Sequence, residues 1–144
     1  SKVFGISTVI ARFFNVYGPR NPQIGEFTPI IAKFAKQYRD NVPLSIVGDG
    51  TQKRDFTHVY DICEGLCALS KDTWNGEIFN LGTGRNYSIL EVADMFGDNK
   101  VFLPKRPGES KVTLADIEKT TQKTGWKPKY NLENYIKELK NEII

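Results

Sequence analysis

The strongest constraint on the fold lies near the start of the chain. Ser7-Thr8-Val9-Ile10-Ala11 is an apolar, β-branched run. It continues through Arg12-Phe13-Phe14 and breaks at Asn15-Val16-Tyr17-Gly18-Pro19-Arg20. Residues 8–13 read as a buried strand. A buried strand that opens at its C-terminal end into a polar loop is where open α/β sheets set their ligands. Two arginines flank this loop and one carboxamide, Asn15, sits inside it. The same residues also suit a plain strand-to-loop turn with surface arginines.

The rest of the sequence repeats that rhythm. Residues 15–26 are broken by glycine and proline and form a loop. Thr28-Pro29 has the order of an N-cap followed by proline at the first helical position. Phe27, Ile30, Ile31, Phe34, Ala35 and Tyr38 keep helical spacing to about Arg39. Pro43–Val47 is a short strand, Gly48-Asp49-Gly50 a tight turn, and Lys53 to Val59 extended. Asp61 opens a helix that presents Ile62, Leu66 and Leu69 on one face. Glu77–Leu81 is a strand, Gly82-Thr83-Gly84 a loop, and Ser88-Ile89-Leu90-Glu91 a capping box that starts the next helix. Val101–Leu103 is a strand, Arg106-Pro107-Gly108-Glu109 a loop, and Lys111–Leu114 extended. Asp116 caps a short helix closed by Gly125. Asn131 caps a last helix whose apolar face is Leu132, Tyr135, Ile136, Leu139 and Ile143. Short strands alternating with helices define an α/β protein.

At 144 residues, 40% hydrophobic and 26% charged, the chain holds one domain with a sizeable core. The net charge of +3 comes from dispersed lysines. It forms no basic stripe interleaved with aromatics, so nucleic acid is not the expected partner. A modest positive balance suits an anionic small ligand such as a nucleotide diphosphate. Cys63 and Cys67 stand four apart in an apolar periodic run, which predicts two buried core cysteines and no disulfide. A single histidine, His58, argues against a Cys-His metal site. No run approaches the roughly 20 apolar residues of a membrane span, and no signal-peptide pattern appears. The expected compartment is the reducing cytoplasm.

Several short motifs bear chemistry. Gly82-Thr83-Gly84 follows a strand and precedes a helix, the setting of a phosphate loop. It lacks the third glycine of a dinucleotide fingerprint and the acidic residue that should follow, so a plain turn is the better reading. Lys53-Arg54-Asp55 is either a solvated charge run or a strand that offers a guanidinium fork to phosphate. Arg106-Pro107-Gly108-Glu109 allows the same two readings, with a cation for phosphate and a carboxylate for ribose hydroxyls. His58 has no nucleophile signature near it and reads as a structural or lining residue. Trp74, Trp126 and Tyr130 read as core or cap contacts.

In this order, the segments Arg12–Arg20, Pro43–Gly50, Lys53–Val59, Phe79–Gly84, Arg106–Glu109, Ala115–Thr120 and Gly125–Pro128 resemble the C-terminal half of the extended short-chain dehydrogenases/reductases, the NAD-dependent epimerase/dehydratase family, nearest to UDP-glucose 4-epimerase-like members. The resemblance covers nearly the whole chain. It implies a last Rossmann-type strand followed by the small α/β substrate-binding lobe. It also implies that residues 1–144 are the nucleotide-sugar-binding part and that the N-terminal NAD-binding Rossmann part is absent. By similarity, Asn15 contacts the diphosphate-sugar region. Phe27, Ser45, Ile46 and Val47 line the nucleobase pocket, with backbone groups reading the base edge. Arg54 and Arg106 clamp the diphosphate, and Glu109 accepts from the ribose hydroxyls. Phe14 lies against the nicotinamide end of NAD. The implied reaction oxidises C4 of the sugar with NAD and returns the hydride to the other face.

The sequence departs from that family in its chemistry. The family's glycine-rich NAD loop and its Tyr-x-x-x-Lys pair have no match here, and Ser1-Lys2 lies too close to Arg12 to be the end of that pair. The family enzyme uses NAD, but this chain alone is expected neither to bind it nor to turn over. Thr113 stands where relatives often carry an aromatic, which bears on base identity. Two other functions fit the same residues: a stand-alone nucleotide-sugar-binding or oligomerising module, and part of a sugar-nucleotide 4,6-dehydratase. The expected partners are a UDP-sugar or related nucleotide sugar, and either an NAD-binding half or a second copy joined through the N-terminal strand.

Overall fold

The computed structural model describes residues 3–25 and 27–143; of Ile143 it describes the backbone alone. Ser1, Lys2 and the side chain of Ile143 therefore lie outside the described residues. The elements alternate as expected for an α/β chain. In order they are β1 (Val9–Phe13), β2 (Val16–Tyr17), α1 (Ile30–Arg39), β3 (Leu44–Val47), β4 (Lys53–Asp55), β5 (Thr57–His58), α2 (Val59–Leu69), β6 (Glu77–Leu81), β7 (Asn86–Ser88), α3 (Ile89–Phe96), β8 (Lys100–Leu103), α4 (Glu118–Thr124) and α5 (Leu132–Ile143).

The strands pair two by two. Three ladders are parallel: β1 with β6, β2 with β5, and β3 with β8. β4 and β7 form an antiparallel ladder that sets Arg54 opposite Tyr87. Two apolar clusters fill the space between these ladders and the helices. One joins α1, β3, α3 and α5 through Phe34, Ile46, Val92, Phe96 and Ile136. The other joins α2, β6 and the loop after α4 through Ile62, Leu69, Phe79, Leu81 and Trp126.

Helix ends follow local chemistry. Ser88 and Glu91 form a reciprocal capping box at α3, with bonds of 3.1 and 2.6 Å. Gly125 ends α4 in the left-handed conformation at φ 72°. Asn131 Oδ1 accepts from Asn134 N at the start of α5. Thr28 does not cap α1, because its hydroxyl donates back to Gly25 O at 2.8 Å and Pro29 occupies the cap. α2 starts two residues before Asp61, since His58 Nδ1 accepts the amide of Tyr60.

Three burial expectations are corrected. β1 is not a buried strand: Val9, Ile10 and Phe13 are exposed, and only Ala11 is half-buried. Among the described residues β6 is its one strand partner, and a two-stranded ladder leaves apolar side chains on its faces uncovered. Cys63 and Cys67 are exposed, as is Leu66. α2 turns Asp61, Ile62, Gly65 and Leu69 inward, which rotates its buried face away from the cysteines. Gly65 is what brings α2 so close to its neighbours: a Cβ there would fall 2.8 Å from Leu81 Cδ2.

Candidate nucleotide site

Strand β3 ends at Val47 and the chain turns through Gly48–Gly50 to reach β4. Gln52 Nε2 donates to Val47 O at 2.9 Å, closing that corner. Period-two alternation then sends Arg54 to one face of β4 and Asp55 to the other. Arg54 turns toward a cavity of about 460 Å³, while Asp55 is fully buried. The cavity is bounded by β3, the start of α1, the loop after β8, and Asn15 between β1 and β2.

Of the residues picked from sequence, Asn15, Ser45, Val47, Arg54, Arg106 and Glu109 come together around this cavity. Arg54 Nη1 donates to Lys53 O at 2.9 Å, and Nη2 meets Glu109 Oε1 at 3.3 Å. Asn15 holds φ at 25°, an uncommon value for a residue with a side chain. Its Nδ2 donates to Asp55 O at 3.0 Å and reaches Thr113 Oγ1 at 3.4 Å. Ser45 exchanges hydrogen bonds with the Gln37 carboxamide.

The other three picks lie elsewhere. The Ile46 side chain is wholly inside the first core cluster, so only its backbone is on the strand that borders the cavity. Phe27 is 91% exposed and lines no part of it. Phe14 packs under the loop at residue 82, where a Cβ on Gly82 would sit 3.3 Å from its ring.

Sequence reading missed Lys33, Gln52 and Thr28, which also line the cavity. Lys33 is on the first turns of α1, next to the loop, so a helix period alone gave no reason to separate it from solvated lysines. Burial, with the charge of Arg106 beside it, pushes the Lys33 ammonium below its ordinary pKa. Neither Lys33 nor Arg106 has a carboxylate partner among the described residues, whereas Arg54 is paired with Glu109. Just before Arg106, Lys105 Nζ bonds Asp49 Oδ2 at 3.0 Å and ties the loop to the 48–50 turn. Hydrogen bonds from Thr51, with Lys105, hold the Asp49 carboxyl well below the usual carboxylate range.

The Gly82-Thr83-Gly84 loop does not open a helix, because β7 intervenes before α3. Two of its three amides are already filled. Thr83 N and Gly84 N donate to the Asp55 carboxylate, each at 2.9 Å. Asp55 is thus no member of a solvated charge run. Trp74 and Trp126 are buried as expected; Tyr130 is exposed on one side and stacks on His58, with ring centres 4.2 Å apart. His58 is buried and borders a separate cavity of about 560 Å³ that shares no lining residue with the first.

This arrangement sits in a known family. Residues 1–82 match the model of the NAD dependent epimerase/dehydratase family, and the chain belongs to that family. It is 39% identical to an uncharacterized UDP-glucose epimerase, YtcB, of Bacillus subtilis, over 97% of this chain and 44% of that protein. It is 34% identical to a UDP-glucuronate 4-epimerase of Thermodesulfobacterium geofontis, over 96% of this chain and 44% of the relative. The fold matches the UDP-glucose 4-epimerase of Thermotoga maritima solved with UDP-glucose, at a TM-score of 0.90 and 29% identity, over 98% of this chain and 48% of that one. It also matches the UDP-glucuronic acid 4-epimerase of Bacillus cereus solved with UDP-glucuronic acid and NAD. There the TM-score is 0.86 at 35% identity, over 99% and 46% of the two chains. Decarboxylases acting on UDP-glucuronic acid are among the relatives as well. The chain spans about half the length of the curated relatives it matches.

Proposed function

We propose that this chain is the nucleotide-sugar-binding part of a UDP-sugar epimerase, with the cavity between β3, α1 and the loop after β8 as the seat of the nucleotide diphosphate. The observation that carries this is the charge arrangement. Arg54 is balanced by Glu109, and among the described residues Lys33 and Arg106 have no carboxylate partner on the same cavity. Two spare cations match the two negative charges of a diphosphate diester. Arginine adds a planar fork that suits phosphate oxygens. Glu109, an acceptor only, suits ribose hydroxyls. Asn15 faces the same space with its carboxamide orientation fixed by Asp55 O, and on β3 Gln37 takes Ser45 N and Gln52 takes Val47 O, which leaves the Ser45 carbonyl and the Val47 amide for a base edge.

The residues present do not fit a bound dinucleotide. Thr83 N and Gly84 N, which a phosphate loop would offer, are spent on Asp55. No tyrosine in the sequence is followed four positions later by lysine. In this reading, NAD-dependent oxidation and reduction at C4 belong to residues outside these 144. Phe14 is the one residue here set to lie against the nicotinamide end. The exposed β1 face is where an NAD-binding half or a second copy would pair.

Calorimetric titration tests this. UDP should bind more tightly than uridine by at least about tenfold, the worth of one charge-assisted contact. Arg54→Ala and Arg106→Ala should each narrow that gap. Equal affinity for UDP and uridine would refute the diphosphate seat. Steady interconversion of UDP-glucose and UDP-galactose by the 144-residue chain with NAD would refute its role as a binding part only.

A further inference from the structure

Asp55 lines no part of the cavity, yet it follows Arg54 on β4 and its carbonyl holds Asn15, and both of those residues do line it. Its Oδ1 accepts from Thr83 N at 2.9 Å and from Thr83 Oγ1 at 2.6 Å. Its Oδ2 accepts from Gly84 N at 2.9 Å and from Ala115 N at 3.1 Å. A carboxylate has about four lone-pair directions, and all four are used inside the protein. The backbone of the same residue is equally committed. Its carbonyl accepts from Asn15 Nδ2 at 3.0 Å, and its amide donates to Thr113 Oγ1 at 3.4 Å. The packing is close enough to transmit a displacement. A Cβ on Gly82 would fall 2.2 Å from Ala115 Cβ and 3.2 Å from Asp55 Oδ2.

We propose that Asp55 is a positioning residue for the nucleotide site. The carboxylate locks β4 to residues 82–84 and 113–115. The lock sets where the Asp55 carbonyl lies, and a carbonyl only accepts, so Asn15 must turn Nδ2 toward it. It also sets the strand from which Arg54 extends. The bond from Nδ2 to Asp55 O is the shortest of three that hold Asn15 at its uncommon φ, with Thr57 N donating to the Asn15 carbonyl at 3.3 Å and Nδ2 reaching Thr113 Oγ1 at 3.4 Å. Sequence gives no hint of this role, because a strand that alternates toward solvent and core looks the same as a charged surface run. The proposal rests on the functional reading above for its ligand but not for its geometry.

Asp55→Asn tests it in the full 144-residue chain. Asparagine keeps the volume but brings an NH2 against backbone donors, so one side of the lock must open. Two quantities are read at a temperature where circular dichroism shows the chain folded: the Asn15 side-chain amide resonances by ¹⁵N NMR, and UDP affinity by calorimetry. Leu69→Ala, in the other core cluster, serves as a destabilised control. The expected result is shifted, fast-exchanging Asn15 amide protons and UDP binding weakened about tenfold or more in Asp55→Asn, with both unchanged in the control. Unmoved amide resonances, or an affinity within about twofold of the parent, would overturn the proposal. Equal weakening in the control would overturn it too. Should Asp55→Asn fail to fold, Thr83→Val removes the 2.6 Å hydroxyl donor to Asp55, along with the local bonds of that hydroxyl to Arg85, and leaves the Asp55 carboxylate in place; a smaller effect of the same sign supports the lock, and no change in either quantity overturns it. Absence of UDP binding in the parent chain would count against the functional reading, and the amide resonances would then decide the Asp55 proposal alone.

Discussion

Asp61 offers the sharpest stability test. It lies in the first turn of α2 and is fully buried. Oδ1 accepts from Lys129 N at 2.9 Å and Oδ2 from Tyr130 N at 3.1 Å, while its carbonyl accepts from Trp126 Nε1 at 3.0 Å. One acidic residue therefore pins the loop before α5 to α2. Asp61→Ala removes two charge-assisted bonds, each worth about 1.5–3 kcal/mol. It also removes an acid from a helix N-terminus, worth about 0.3–1 kcal/mol. Lys129 and Tyr130 are exposed residues, so water can recover part of what their amides lose. The expected cost is therefore near the low end, about 3–4 kcal/mol. Asn retains one acceptor and should cost about half that. Urea denaturation followed by tryptophan fluorescence measures both, since Trp126 is buried and bonded to Asp61 itself. A loss below about 1 kcal/mol in Asp61→Ala would refute the anchoring argument. So would an Asn variant as unstable as the Ala variant.

Two further outcomes follow from burial. Burial pushes the His58 pKa below its ordinary value, against the opposing charges of Asp61 and Glu138. The unfolded chain then binds the proton more readily than the folded one, so His58 stabilises the fold fully above the unfolded pKa of about 6.5 and less as pH falls through it. Protonation would also end the Nδ1 bond that accepts Tyr60 N. His58→Asn, which keeps a capping acceptor, should flatten the dependence of the melting temperature between about pH 7 and 5; an unchanged slope would sink this. Cys63 and Cys67 should both react with Ellman's reagent in the folded chain without denaturant, and thiols that stay silent until urea is added would contradict their place on the outer face of α2.

Local signals carried much of the fold. The Ser88–Glu91 box, Gly125 and the apolar periods of α1 and α5 act over one or two turns, so the residues that decide them sit side by side in sequence. The site was partly legible for the same reason. Arg54 follows a tight turn and Arg106 opens one held by Pro107 and Gly108, which hints at fixed guanidinium groups, and family order joined them. What could not be read is whatever depends on a distant partner. Strands β2 and β7 are two and three residues long and exist only through β5 and β4. The outward turn of Cys63 and Cys67 is decided by where β6 and Trp126 meet α2. Asp55 and Asp61 look like ordinary surface acids until residues 83–84, 115 and 129–130 arrive to donate to them. Lys33 became a site residue only when the loop carrying Arg106 folded beside it.

The pairing pattern also governs how the chain is made. Every ladder joins strands dozens of residues apart: Val9 meets Glu77, Val16 meets Thr57, Leu44 meets Lys100 and Lys53 meets Ser88. Such long-range closure slows folding, because loop entropy is lost before the contacts that repay it form. During synthesis, β1 is made well before its partner β6, with everything from Asn15 to Gly76 between them. Over that interval Val9, Ile10 and Phe13 are a β-prone apolar segment without its β6 partner, and that window is where aggregation would compete.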